Sequence, residues 1–249
     1  MKLSGNTILI TGGGTGIGLG LAGAFAERGN QVVICGRRQE KLDEACRRVP
    51  GLRAHRCDVS DAADRQRLFD AIADDGLAIN VLINNAACMR PYDFARPDAL
   101  DVDGLHRDIT TNLVAPIEMI RLFLPRLREH GHPTVINVSS PGGVVPVARF
   151  PVYCASKAAM ISFTRSLRHQ LAEQVRVITI YPPSVDTAMM TGVSLPTISV
   201  EECNRKIMKH LARGHDEIWI GEAQYIPIFS RLMPRRIFEI VNRAASGSR

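Results

Sequence analysis

The six cysteines form no Cys-x-x-C pair, no eighteen consecutive residues are apolar, aromatics make up only 5% of the chain, and lysine is nearly missing. Each absence excludes something. Cys35, Cys46, Cys57, Cys88, Cys154 and Cys203 are scattered, which suggests neither a zinc site nor a disulfide scaffold and reads as reduced thiols packed in a core, so no metal is expected. Without a long apolar run there is no membrane-spanning helix. The start, Met-Lys-Leu-Ser-Gly-Asn, enters a strand-like stretch without a signal-peptide core, so a cytoplasmic protein is expected. The net charge is +6, yet basic residues are not clustered with interleaved aromatics, which argues for a solvated surface and against a nucleic-acid partner. The local excess of arginine in Arg231-Leu-Met-Pro-Arg-Arg236 admits contact with a partner or a membrane surface, but a solvated edge is the favoured reading, and no membrane partner is expected. Lysine supplies only five of 31 basic residues (Lys2, Lys41, Lys157, Lys206, Lys209), so each is a departure from the chain's habit.

What is present is alternation. Short strand-like runs, β-branched except at Leu52–Arg56, at Thr7–Ile10, Gln31–Cys35, Leu52–Arg56, Val81–Asn84, Thr134–Val138, Arg176–Tyr181 and Glu217–Ile220 are separated by helix-like stretches near 17–28, 38–48, 61–73, 102–130, 152–173 and 200–213. That order predicts an α/β fold: one doubly wound Rossmann-type domain over 1–249, with a seven-stranded parallel sheet and helices on both faces. No repeat or linker interrupts it. Ligands of such sheets lie at the carboxyl ends of strands, where the topology switches.

One such place is Thr11-Gly-Gly-Gly-Thr-Gly-Ile-Gly-Leu-Gly-Leu-Ala-Gly23. The pattern G-x-G-x-x-G matches only at Gly18–Gly23, inside the following helix, so Gly20 and Gly23 read as packing glycines. The loop proper runs through Gly12, Thr15, Gly16, Ile17 and Gly18, giving a tight turn, close backbone approach and a helix N-terminus that favours an anion. The second strand bears on the nucleotide. A carboxylate about 20 residues past the glycines would bond a ribose 2′-hydroxyl, whereas arginine suits a 2′-phosphate. Gly36 is followed by Arg37 and Arg38, which favours NADP(H) over NAD(H).

Tyr153 and Lys157 form Y-x-x-x-K, and the i, i+4 spacing puts both on one helix face. An ammonium beside a phenol is expected to lower the phenol's pKa toward neutrality. Ser140, at the end of Thr134–Val138, is placed to hold a carbonyl oxygen next to Tyr153.

With these residues the chain resembles the short-chain dehydrogenases/reductases. It carries T-G-x-x-x-G-x-G at Thr11–Gly18, C-D-V at Cys57–Val59, N-N-A-A at Asn84–Ala87, N-L at Asn112-Leu113, N-V-S-S at Asn137–Ser140 and Y-C-A-S-K at Tyr153–Lys157, in family order. The stretch Asn137–Thr187 further resembles a subgroup named for teichoic-acid D-alanylation. The resemblance implies an oxidoreductase acting on a small carbonyl or alcohol substrate, with Tyr153 as general acid, Lys157 lowering its pKa and holding the nicotinamide ribose, and Ser140 orienting the carbonyl. It implies Asp58 and Val59 at the adenine, Asn85 and Ala86 along the ribose, and Val185 with Thr187 at the carboxamide and phosphates. Asn112 would hold a relay water on its backbone carbonyl. Pro116, four residues on, has no N–H to give that carbonyl, so it is expected to keep the carbonyl free. Pro183 stands where much of the family has glycine.

The resemblance also implies a homodimer or homotetramer, packed through the helices near 102–130 and 152–173. Residues 186–213 are expected to form a substrate lid, and Cys88, Met89, Arg90, Val145, Arg149, Phe150, Met189 and Met190 to line the pocket. The other reading is a non-catalytic dinucleotide-binding scaffold of the same fold.

Overall fold

The computed structural model describes residues 1–193 and 195–246. Seven strands form one sheet, β1 (Thr7–Thr11), β2 (Gln31–Gly36), β3 (Arg53–Arg56), β4 (Val81–Asn84), β5 (Thr134–Val138), β6 (Arg176–Tyr181) and β7 (Glu217–Trp219), in the order β3-β2-β1-β4-β5-β6-β7. Every pairing is parallel. Parallel strands covered on both faces must be apolar on both faces, and the side chains divide accordingly. Ile8 and Ile10 enter one core cluster with Phe25, Leu42 and Ile207, while Leu9 enters the other with Ile72, Phe123 and Leu167.

The helices sort the same way. On the first face lie α1 (Gly16–Ala26), α2 (Gln39–Arg48) and α7 (Val200–Ala212); on the second lie α3 (Ala62–Asp74), α5 (Ala115–Arg128) and α6 (Pro151–Gln170). β1 sits between β2 and β4, so the strand order reverses there and the crevice opens over the carboxyl ends of β1 and β4.

Two features depart from the expected elements. The helix foreseen over 102–130 is α4 (Val102–Ile109) and α5, joined through a π-helical turn at Thr110–Val114. Two further helices, α8 (Ile226–Leu232) and α9 (Pro234–Ser246), follow β7 where no helix is expected. Among the described residues, no helix is long and apolar enough to cross a membrane.

Candidate active site

The glycine loop is stitched to the segment after β4. Thr11 Oγ1 accepts the N–H groups of Asn85 and Ala86, both at 3.0 Å, and Asn85 Nδ2 donates to the carbonyls of Thr11 at 2.9 Å and Gly12 at 3.2 Å. Gly12 and Gly16 have φ of +66° and +55°, the left-handed region open to glycine. A Cβ on Gly18 would lie 2.4 Å from the Gly12 carbonyl oxygen. Thr15, the residue preceding α1, makes no side-chain capping bond, and no acid lies in the first turn. The helix therefore presents its positive end to the crevice without an anion of its own.

The packing roles foreseen for Gly20 and Gly23 separate. A Cβ on Gly20 would lie 1.9 Å from Asn204 Nδ2 of α7, whereas one on Gly23 would meet Val49 at an ordinary 3.6 Å. A side chain at Gly20 would have to displace the Asn204 amide of α7; Gly23 has room for one.

Arg37 and Arg38 follow β2 on the same edge, both exposed, since Cys35 pairs in register with Thr11. Asp58 Oδ1 accepts the Ser60 N–H at 2.9 Å and hydroxyl at 2.7 Å, so one of its oxygens is already held in a local turn. Val59 is buried, and its carbonyl accepts from Arg65 at 2.6 Å. Val185, also buried, is bridged to Ile198, and Asp186 N–H bonds the Ile198 carbonyl at 2.9 Å. This closes the segment after β6 into a loop whose Thr187 methyl reaches within 3.1 Å of where a Gly16 Cβ would stand. α7 buries Cys203, Ile207, Met208 and Leu211 in the core and Ile198 packs against the same layer, so the 200–213 part of the expected lid is a core helix, and residue 194 of the remainder lies outside the described residues.

The four expected catalytic residues converge from three elements. Tyr153 and Lys157 lie on α6, with Lys157 Nζ 5.7 Å from the centre of the Tyr153 ring and donating to the Val138 carbonyl at 2.9 Å. Ser140 Oγ accepts the Gly142 N–H at 3.1 Å, capping a short 3₁₀ turn, and a Cβ on Gly142 would lie 3.4 Å from Ser140 Oγ and 3.9 Å from Tyr153 Cε1, so the two side chains face the same spot. Asn112 Nδ2 reaches Ser156 Oγ at 3.2 Å, and that hydroxyl donates to the Tyr153 carbonyl at 2.6 Å.

The expected lowering of the phenol is not what this geometry produces. Burial pushes Tyr153 up to about 12, with the Ser140 hydrogen bond pulling it back in part. Burial likewise draws Lys157 down to about 8, and its ammonium is directed at Val138. Desolvation disfavours both charged forms and is the dominant cause of each shift.

The reason given for the Asn112 carbonyl also changes. In the π-helical turn the Ala115 N–H bonds the Thr110 carbonyl, and α-helical register resumes from Ala115. The Pro116 donor is missing, so one donor, the Ile117 N–H, remains for the carbonyls of Thr111, Asn112 and Leu113. The bulge and Pro116 together, not Pro116 alone, leave carbonyls without intrahelical partners.

Of the expected pocket residues, Arg90 is taken up by Asp101 at 3.6 Å and the buried Asp108 at 3.5 Å. Arg149 donates to the Gly192 carbonyl at 2.7 Å, which fastens the loop after β6. Val145 lines a cavity of about 520 Å³, shared with Val144, Pro146, Ile237 and Phe238. Phe150 is buried and Met189 exposed.

Sequence reasoning missed the supporting residues. Asn84 Nδ2 donates to Asn137 Oδ1 at 2.9 Å, Asn137 to Thr164 at 3.0 Å, and Ser139 Oγ to the Lys157 carbonyl at 3.2 Å. The available signal was an asparagine at the end or middle of an otherwise apolar buried strand.

Comparison with known proteins agrees with this geometry. A family model described as short chain dehydrogenase matches residues 6–196. The uncharacterized oxidoreductase DltE of Bacillus subtilis is 38% identical over 250 residues, covering 97% of this chain and 98% of that one. A crystal structure of a short chain dehydrogenase from Burkholderia cenocepacia in complex with NADP superposes with a TM-score of 0.83 at 29% identity, covering 97% of this chain and 99% of that one. A short-chain dehydrogenase from Sphingobium yanoikuyae in complex with NADPH shares the fold, with a TM-score of 0.80 at 24% identity over 95% and 96% of the two chains. A parallel sheet in this order, a glycine loop at its switch point and a matching family model over most of the length make this chain a member of the short-chain dehydrogenase family of oxidoreductases.

Proposed function

We propose that this protein is an NADP(H)-dependent oxidoreductase that interconverts a carbonyl and an alcohol, with Tyr153 as general acid and base. The observation that carries the reading is the convergence of Tyr153, Ser140 and Lys157 beside a glycine loop backed by an uncapped helix N-terminus. The loop fits a dinucleotide: Gly12 and Gly16 adopt φ values that side chains disfavour, and Gly18 has no room for a Cβ. Gly12, Thr15, Gly16, Ile17 and Gly18 would hold the pyrophosphate, Asp58 and Val59 the adenine, Asn85 and Ala86 the ribose, and Val185 with Thr187 the carboxamide side. Arg37 and Arg38, exposed and at the end of β2, would meet a 2′-phosphate. The related Burkholderia structure holds NADP.

When bound, the nicotinamide supplies or accepts the hydride. The chain's own residues handle the proton and the orientation. Ser140 donates to the carbonyl oxygen, and Tyr153, neutral because its phenol lies near 12, gives its hydroxyl proton to that oxygen during reduction. Lys157, still charged below about pH 8, would hold a ribose hydroxyl of the bound dinucleotide and stabilise the phenolate left behind. The Asn112 bulge offers carbonyls to a water that returns the proton. The active form is a homodimer or homotetramer packed through α4, α5 and α6.

The test is Tyr153→Phe assayed by cofactor absorbance against a panel of carbonyls that the parent turns over. Loss of turnover with NADPH binding retained supports the reading; unimpaired turnover refutes it, in favour of a scaffold. Titration of NADPH and NADH against the parent, Arg37→Ala and Arg38→Ala tests the cofactor. Equal affinity of the parent for both overturns the NADP preference.

A further inference from the structure

Among the described residues, seven of the eleven exposed large apolar side chains fall between residues 225 and 240. They are not scattered. Tyr225, Ile228, Phe229 and Leu232 recur at i, i+3, i+4 and i+7, the spacing that gathers side chains on one helix face, and they are 51%, 55%, 39% and 72% exposed. A stripe of that spacing ordinarily faces a core; on α8 it faces outward. Met233 extends it, and α9 continues with Arg236, Ile240 and Arg243, again i, i+4 and i+7 and all exposed.

The charge around the stripe identifies what covers it. From 226 to 246 there are four arginines (Arg231, Arg235, Arg236, Arg243) and one carboxylate, Glu239, which lies 3.8 Å from Arg243. A second copy docked across a two-fold axis would lay this patch on itself and set arginine against arginine. A phospholipid surface with anionic headgroups satisfies both features, apolar side chains entering the acyl boundary while guanidinium groups pair with phosphates. We propose that α8 and α9 form a docking face for an anionic bilayer surface, lying in its interface without crossing it. The sequence alone read these arginines as a solvated edge because the apolar stripe between them gave no sign of facing outward.

The face is tied to the substrate side of the crevice. Asn242 of α9 accepts the Ala148 N–H at 2.6 Å and donates to the Pro146 carbonyl at 3.0 Å, within the segment joining Ser140 to Tyr153. The cavity lined by Val144, Val145, Ile237 and Phe238 opens beside the same junction.

The test is flotation of the full-length protein with phosphatidylglycerol-rich or purely phosphatidylcholine vesicles, at low and high salt. The parent floats with the phosphatidylglycerol-rich vesicles and is released by salt. Ile228→Asp/Leu232→Asp loses about tenfold or more of that binding while keeping the parent's melting temperature. Arg235→Gln/Arg236→Gln loses the salt-sensitive part. Absence of binding to the anionic vesicles, equal binding to both kinds, or an unaffected aspartate variant overturns the proposal. A parent dimer that falls apart in the aspartate variant, with no vesicle binding in either, assigns the face to a second copy and overturns it too.

Discussion

The side-chain amide of Asn112 bonds both backbone groups of Cys88: Oδ1 accepts the Cys88 N–H at 2.9 Å and Nδ2 donates to the Cys88 carbonyl at 2.8 Å. A residue of the π-helical turn thereby fixes the chain just after β4. Its side chain is a clamp, and only its backbone carbonyl is available to a relay. Replacing it by alanine unpairs two backbone groups and costs about 2–4 kcal/mol. Asn112→Asp does not rescue, because a second carboxylate oxygen then faces the Cys88 carbonyl. Urea unfolding of both variants checks this; an aspartate variant as stable as the parent removes the clamp.

Lys157, 3% exposed, carries a cost of burial that its function requires. Its folded pKa is depressed to about 8 from 10.5, so below pH 8 it is charged in both folded and unfolded chains, and folding must desolvate that charge. Between pH 8 and 10.5 the unfolded chain binds the extra proton, so this penalty is relieved as pH rises. Lys157→Met is thus more stable than the parent by up to about 3 kcal/mol at pH 7, and the gap closes toward pH 10.5. Denaturation at pH 7 and 10 reads it directly. Carbonyl reduction by the parent falls as pH rises past about 8, where the ammonium is lost.

Gly18 and Gly23 belong to the same pattern in the sequence and to different situations in the fold. Gly18→Ala puts a methyl 2.4 Å from the Gly12 carbonyl oxygen and 2.5 Å from Asn85 Nδ2 and destabilises by about 1–3 kcal/mol, with loss of dinucleotide affinity. Gly23→Ala meets only Val49 at 3.6 Å and stabilises the helix by up to about 1 kcal/mol. Thermal melts of the pair separate loop from packing, and a stabilised Gly18→Ala contradicts the close approach.

Asn204 is buried between α7 and α1, and neither amide atom has a hydrogen-bond partner among the described residues. Asn204→Leu, of nearly the same shape, removes an unsatisfied amide and raises stability by about 1–2 kcal/mol. A destabilised variant would mean that the amide is satisfied by water.

By itself the sequence determined the central strands, because β-branched runs buried on both faces leave a continuous apolar signal in β1, β2, β4, β5 and β6, whereas the edge strand β3, Arg-Ala-His-Arg, carries none and was legible only from its place in the alternation. It determined the short-chain dehydrogenase motifs and their placement at strand ends, since the spacing of Thr11–Gly18, Ser140, Tyr153 and Lys157 is local. Tertiary structure decided what depends on distant neighbours. It broke the helix at Thr110–Val114, where Pro116 withholds a donor; it directed Lys157 to Val138 and raised the Tyr153 phenol through burial; it set Gly20 apart from Gly23 by placing Asn204 against one of them. It also turned the stripe of α8 outward. Periodicity reports that a helix has an apolar face, and only the packing of the rest of the chain decides which way that face points.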